Sequence, residues 1–275
     1  MQFPSGECAL EAATFLKLGR HPCLVPYIGT CSNPSLGQII LTEFAHYGSL
    51  SDLLVEKGRD ITFTHKLTMM RQISSAMEAL SQVNVVHGNM AARNVLVFHF
   101  DAANPQRTRI KVSEYGLSAV GKSGGSHRTS NVVGVMVRLP IRWMSPEAIK
   151  EGRFNEASDM WAMGVTMWEI LTGGETPYAH IQDNDHVAQQ VCDGTLRLSR
   201  PPEGCPEGLW ALIQGKCWNP DPKRRPTFKE LSVALDMEGL SLSHEGVAVA
   251  ERGDASGSNP VAAIKVQQVR DAVHR

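Results

Sequence analysis

The sequence has no surplus of either charge: 27 basic and 28 acidic residues leave a net charge of -1 at neutral pH. Without a long-range field, nothing steers nucleic acid or an anionic membrane surface toward it, so no nucleic-acid partner is expected. It also lacks paired cysteine spacing. The six cysteines, Cys8, Cys23, Cys31, Cys192, Cys205 and Cys217, lie scattered, and Met1 to Glu7 has neither a basic flank nor an apolar run. Both features predict a cytoplasmic chain with reduced thiols. The most apolar helix-like stretch, Trp161 to Leu171, is about half the roughly 20 residues that a bilayer crossing needs, so no membrane span is expected. What is present is a chain of 275 residues, 42% hydrophobic and 20% charged. Such a chain can bury a core, which excludes disorder throughout and predicts one globular domain, or one domain built from two lobes.

Residues 7 to 18 are rich in helix formers and stop at Gly19, with Pro22 just beyond, which predicts a first helix. Apolar runs at Cys23 to Gly29 and Gln38 to Phe44 predict two antiparallel strands joined by the turn Ser32 to Gly37. Ser49 caps a short helix, and Thr64 caps a longer one. In the longer helix Leu67, Met70, Ile73, Met77 and Leu80 recur at spacings of three and four, a stripe for burial rather than a cofactor box. Two short apolar strands flank the polar turn His87 to Asn94. Amphipathic helices are predicted at about 184–193 and 206–217, and a last one runs from Thr227 to near Gly239. From 240 onward Ser, Gly, Asp, Ala and Val mix without a sustained period, which predicts a flexible tail with a short helix at 261–273.

The stretch from His87 to Asn94 reads His-Gly-Asn-Met-Ala-Ala-Arg-Asn, and Glu114 to Gly116 reads Glu-Tyr-Gly. The first resembles the catalytic loop of protein kinases, with the Ala-Ala-Arg-Asn ending of tyrosine kinases, and the second resembles their metal-binding Asp-Phe-Gly. Pro146-Glu147 after Trp143, Ser158-Asp159-Met160-Trp161, and Cys217-Trp218 through Arg225-Pro226 resemble, in order, the end of the activation segment, the start of the central buried helix and the closing motif. The resemblance covers about 11 to 237. It implies an α+β fold of protein-kinase-like bilobal type, with 1–45 a partial small lobe, 46–238 the larger, mainly helical lobe and 239–275 the tail.

Carried over residue by residue, the resemblance makes Glu11 the ion-pair glutamate of the first helix, Thr42 and Glu43 the gatekeeper and start of the hinge, and Ala45 the backbone partner of adenine. Leu96 becomes the floor under the adenine ring. His87, Asn89 and Arg93 fall on the catalytic loop, with Asn89 at the position of the catalytic aspartate. Asn94 and Glu114 fall on the magnesium positions, and Glu147, Asp159 and Arg225 on architectural ones. The implied cofactors are ATP and Mg2+, with binding weak or absent. An amide at 89 can hydrogen-bond a hydroxyl but cannot take its proton. Glu114 is one methylene longer than aspartate, which would displace a metal that demands near-octahedral ligands at about 2.0 to 2.1 Å. Gly88 replaces the arginine that would read a phosphorylated activation segment, and 118–131 holds no tyrosine. No lysine precedes Lys17, so Glu11 has no partner in the sequence.

For Asn94 two readings stay open, metal ligation and holding of the turn through side chain to backbone bonds. For His87 they are packing in a column with Phe15, Tyr115 and Asp159, and acid-base work. The function the resemblance implies is a pseudokinase, similar to the pseudokinase domains of Janus kinases, with other signalling proteins or an adjacent kinase domain as partners. The alternatives are an active protein tyrosine kinase and, more remotely, a P-loop NTPase on Gly116 to Ser123. That motif would have to open a helix, whereas Gly124, Gly125 and Ser126 follow it.

Overall fold

The computed structural model describes residues 2–3, 18–33, 37–115, 131–132, 135–136 and 139–239. The expected first helix with Glu11 and Phe15 lies outside them except for Leu18, as do the P-loop-like stretch 116–123 and the tail from 240. The chain divides into two units, Met1–Asp236 and Met237–Arg275, and only 237–239 of the second are described.

Strands β1 (Gln2–Phe3), β2 (Tyr27–Asn33) and β3 (Gly37–Thr42) form an antiparallel sheet in the order β1-β3-β2. The first predicted strand is displaced: it begins at Tyr27, not Cys23. Pro26 has no N–H to give a ladder, and the residues before it turn to Val112. Val25 N–H donates to the Val112 carbonyl at 2.9 Å, and Val112 N–H donates to that of Cys23 at 2.8 Å. Glu43 and Phe44, expected in the second strand, lie beyond its end at Thr42.

Helix α1 (Leu50–Lys57) starts where the Ser49 hydroxyl accepts the Asp52 N–H at 3.2 Å. Helix α2 (Phe63–Gln82) is capped by Thr62 and not by Thr64. The Thr62 hydroxyl accepts the His65 N–H at 3.4 Å while His65 Nδ1 accepts the Thr62 N–H at 3.2 Å, a reciprocal pair that Thr64 has no partner to make. The stripe Leu67, Met70, Ile73, Met77 and Leu80 is buried as expected. The strand predicted just before His87 does not form. Asn84 turns left-handed at φ +56, and the N–H groups of Asn84 and Val85 close the end of α2 on the carbonyls of Ser81 and Leu80, both at 2.9 Å. They are therefore lost to any ladder. Strands β4 (Val95–His99) and β5 (Arg109–Val112) pair antiparallel with Leu96 opposite Lys111.

Two short strands follow, β6 (Asn131–Val132) and β7 (Val135–Met136), paired with each other. Helix α3 (Pro146–Glu151) is capped by Ser145. Helix α4 (Glu156–Thr172) is buried from Ser158 to Leu171, a helix apolar nearly all round at the centre of the core. Each such Met, Ile, Leu or Val contributes about 1.5 to 3 kcal/mol when fully buried. Helices α5 (Asn184–Asp193) and α6 (Glu207–Leu212) follow, and α6 runs on into a π-helical turn, Ile213–Cys217. A closing helix begins at 228, capped by Thr227. Among the described residues no helix is long and apolar enough to cross a membrane.

Candidate functional site

The loop from His87 to Asn94 hangs on a carboxylate from the first turn of α4. Asp159, 3% exposed, accepts the N–H of His87 at 2.7 Å and of Gly88 at 2.8 Å. Gly88 sits at φ +74, where a residue without Cβ is unstrained. Burial pushes the Asp159 carboxyl up to about 7 against these two hydrogen bonds, which pull it down. His87 is fully buried. Its Nε2 faces the Ser113 carbonyl at 3.0 Å and so carries the hydrogen, while Nδ1 accepts the Asn89 N–H at 3.2 Å. Burial lowers its pKa to about 4. The ring is therefore neutral near pH 7 with both nitrogens engaged, which leaves no proton site for chemistry.

Asn94 ties the loop from below. Its Nδ2 donates to the Asn89 carbonyl at 2.6 Å, and its own carbonyl accepts the Ser113 N–H at 2.9 Å and hydroxyl at 2.8 Å. Glu114 follows in the left-handed region at φ +57, and Tyr115 anchors the next position by donating its hydroxyl to the Val25 carbonyl at 2.6 Å. Burial raises the Glu114 carboxyl, offset in part by the Arg93 charge.

The side chain at the base position is itself held. Arg93 Nη2 donates to Asn89 Oδ1 at 2.8 Å, and the guanidinium lies over the Trp143 ring, 4.2 Å from its centroid. Trp143 is fixed in turn by its indole N–H, 2.8 Å from a carboxylate oxygen of Glu169 that also accepts the Ala92 N–H at 3.0 Å. Glu169, in the last turns of α4, is 5% exposed, and burial raises its carboxyl. The sequence reading missed it, although a carboxylate inside the apolar run Trp161 to Leu171 is the signal that could have found it. Buried charges need partners.

On the opposite side, Tyr47 N–H donates to the Val97 carbonyl at 3.2 Å and Val97 N–H to that of Gly48 at 2.9 Å, clamping residues 45–48 to β4. Leu96 alternates away from the buried Val95 and Val97 and is half-buried. Thr42 is exposed. The Glu43 carboxylate pairs with Lys111, whose ammonium lies 4.3 Å from the Phe98 ring centroid. The Ala45 N–H and the Glu43 carbonyl have no partner among the described residues. These donor and acceptor groups suit the edge of an adenine. Asn94 donates from its amide nitrogen to the loop; its Oδ1 and the Glu114 carboxylate are the groups that would have to hold a metal. The fit to Mg2+ is partial, since among the described residues no cluster of three or more metal-ligating His, Cys, Asp or Glu side chains forms.

Away from the loop, Arg225 reaches Glu147 across 78 positions with two parallel bonds, Nη1 to Oε1 at 2.5 Å and Nη2 to Oε2 at 2.9 Å. The guanidinium also donates to the carbonyls of Asn219 at 2.9 Å and Ala157 at 2.8 Å, which fixes the start of α3 to the segment before the closing helix.

A small antiparallel sheet, a mainly helical remainder and a polar loop carried on the central helix define a bilobal protein-kinase type of domain. The chain belongs to the protein tyrosine and serine/threonine kinase family, which matches residues 5–235. It is similar to the tyrosine-protein kinase transforming protein Abl of Abelson murine leukemia virus, 36% identical over 86% of this chain and 30% of that protein. Likewise it is 33% identical to the transforming protein Fps of avian sarcoma virus (strain PRCII), over 80% of this chain and 38% of the other. With the inactive tyrosine-protein kinase 7 of Gallus gallus it shares 38% identity over 82% of this chain and 21% of the relative. The domain is thus of tyrosine-kinase type, in a family whose chemistry uses ATP and Mg2+. The chain spans between about a fifth and two fifths of the length of these three relatives.

Proposed function

We propose that this chain is a pseudokinase, a kinase-shaped regulatory or interaction module in cytoplasmic signalling, partnered by other signalling proteins or an adjacent kinase domain. The observation that carries the reading is the state of Asn89. Its Oδ1 is taken by Arg93, so the polar face left at the base position is an amide N–H2, which donates and cannot accept a proton. Positioned acid-base groups contribute roughly 10²- to 10⁴-fold to a rate, and this loop forgoes them. The longer Glu114 at the metal position and the absence of an arginine at Gly88 support the same reading, as does the likeness to the inactive tyrosine-protein kinase 7 of Gallus gallus. The second reading, an active tyrosine kinase, is favoured by the intact loop geometry and by the Ala45 N–H and Glu43 carbonyl, which have no partner among the described residues.

Incubation with labelled ATP, Mg2+ and a tyrosine-rich polymer separates the two. The expected result is no incorporation above that of Leu96→Arg, which fills the adenine floor. Incorporation that Leu96→Arg abolishes would overturn the pseudokinase reading.

A further inference from the structure

At the base position every free polar group is a donor. Asn89 offers both hydrogens of Nδ2, and Arg93, exposed at the surface, has spent one N–H on Asn89. Neither side chain has a further hydrogen-bond partner among the described residues, the Asn89 main chain being engaged by His87 and Asn94. The guanidinium is held between Asn89 and the Trp143 ring, its carbon 4.2 Å from the ring centroid. Trp143 itself is pinned by Glu169, so the platform does not tilt. Beside it, Asn89 and Trp143 line one cleft with Gly88, Pro140 and Phe154, and Arg93 is held to both of these residues.

The pair of donors on Asn89 and Arg93 favours a ligand that only accepts over a hydroxyl, which needs its own hydrogen accepted. An aspartate at 89 would place a negative charge where such a ligand sits; the amide removes it. Two carboxylates still act on the guanidinium, Glu169 and Glu114. Glu169 has committed one oxygen to Ala92 and Trp143, whereas Glu114 has no hydrogen-bond partner among the described residues and opposes an anion.

From this geometry we infer that Asn89, Arg93 and Trp143 form a binding site for a phosphomonoester carried on a protein side chain, held and not turned over. The inference rests on the pseudokinase reading, since an active enzyme would release such a group as product. A phosphate monoester brings about -1.5 to -2 charge and three acceptor oxygens, which matches a fork-shaped cation beside an amide. Glu114 sets the limit on affinity and gives the site a variant that should strengthen it.

Fluorescence polarisation with the full 275-residue chain tests this, using labelled peptides of one sequence carrying tyrosine, phosphotyrosine, serine or phosphoserine. A phosphorylated peptide is expected to bind at least about tenfold more tightly than its unphosphorylated form, as loss of a charge-assisted hydrogen bond implies. Comparing the two phosphorylated peptides identifies which side chain carries the group. Arg93→Gln and Asn89→Asp should each remove that preference, and Glu114→Gln should enlarge it. Asn89→Asp keeps the size of the side chain and its acceptor for Arg93, so its melting temperature serves as the check on folding. Equal binding of phosphorylated and plain peptides, or an unchanged preference in Arg93→Gln and Asn89→Asp, overturns the inference. The labelled-ATP assay reports separately: transfer by the natural chain sinks the pseudokinase reading, whereas an inert chain blind to phosphate sinks only this one.

Discussion

The Arg225 side chain joins three segments, since its exposed fraction is 0% and it satisfies Glu147, Asn219 and Ala157 at once. Removing one partner of a buried pair leaves the other charge uncompensated and typically costs about 3 to 5 kcal/mol. Arg225→Ala should lose that much in urea unfolding, and Arg107→Ala, whose pair with Asp101 is 66% exposed on the arginine side, about 0 to 1. Burial acts to raise the Glu147 carboxyl, but hydrogen bonds from Arg225, Ser145 and its own backbone together hold it below 4.5. A depressed carboxyl stabilises the fold above its unfolded value and loses that contribution as pH falls through the folded one. The gap between the natural chain and Arg225→Ala should therefore narrow below pH 4.5. Equal stabilities of the two arginine variants at neutral pH would contradict the pair. Glu147 and Arg225 were legible in the sequence because short fixed strings surround each. Glu169 was marked only as a carboxylate inside an apolar run, because its partners, Ala92 and Trp143, come from distant segments and no local pattern tells what it holds.

At the scale of the element, helix α4 carries a glycine in its middle for a reason that only packing reveals. A Cβ on Gly164 would meet Trp218 Nε1 at 2.6 Å and Cys217 Cβ at 3.0 Å, so the helix axis and the π-helical turn before Trp218 approach more closely than any larger residue permits. Trp218 is 3% exposed and stacks edge-on against Trp210, 5.7 Å between centroids, and has no room to retreat. Gly164→Ala should then cost about 1 to 3 kcal/mol by overpacking despite the gain in helix propensity. Gly215→Ala, with nothing within 4 Å of the added carbon, should not. Thermal melts of the pair decide it, and a neutral Gly164→Ala would mean that Trp218 moves freely. Element existence was readable from periodicity, as the stripe of α2 illustrates. Boundaries were not: the choice of Thr62 over Thr64 depended on a reciprocal bond from His65, and the late start of β2 on whether the residues before Pro26 paired with β3 or with Val112. The π-helical turn leaves no trace in a pattern of three and four.

For the whole molecule, the test of nucleotide affinity is its stability. A ligand that binds only the folded state raises stability by about 2.7 kcal/mol at a hundredfold excess over its dissociation constant. With no carboxylate at 89 and a lengthened one at 114, millimolar ATP with Mg2+ should leave the melting temperature nearly unchanged. A magnesium-dependent rise would instead mean that Asn94 and Glu114 hold the metal despite the longer arm. The two-part architecture was legible because separate motifs fell in family order. The exposed apolar side chains near the sheet and hinge, Phe44 at 75% and Ile28 at 66%, were not, since an apolar run reads the same whether covered or bare.

The grip of Asp159 on the loop is made entirely through main-chain N–H groups, and every residue but proline can supply those. Asparagine and aspartate at 89 would both leave this grip, and an oxygen for Arg93, in place, and their codons differ by one base. The frame of the loop would thus stand through that one-base change in either direction, whatever the change did to chemistry there.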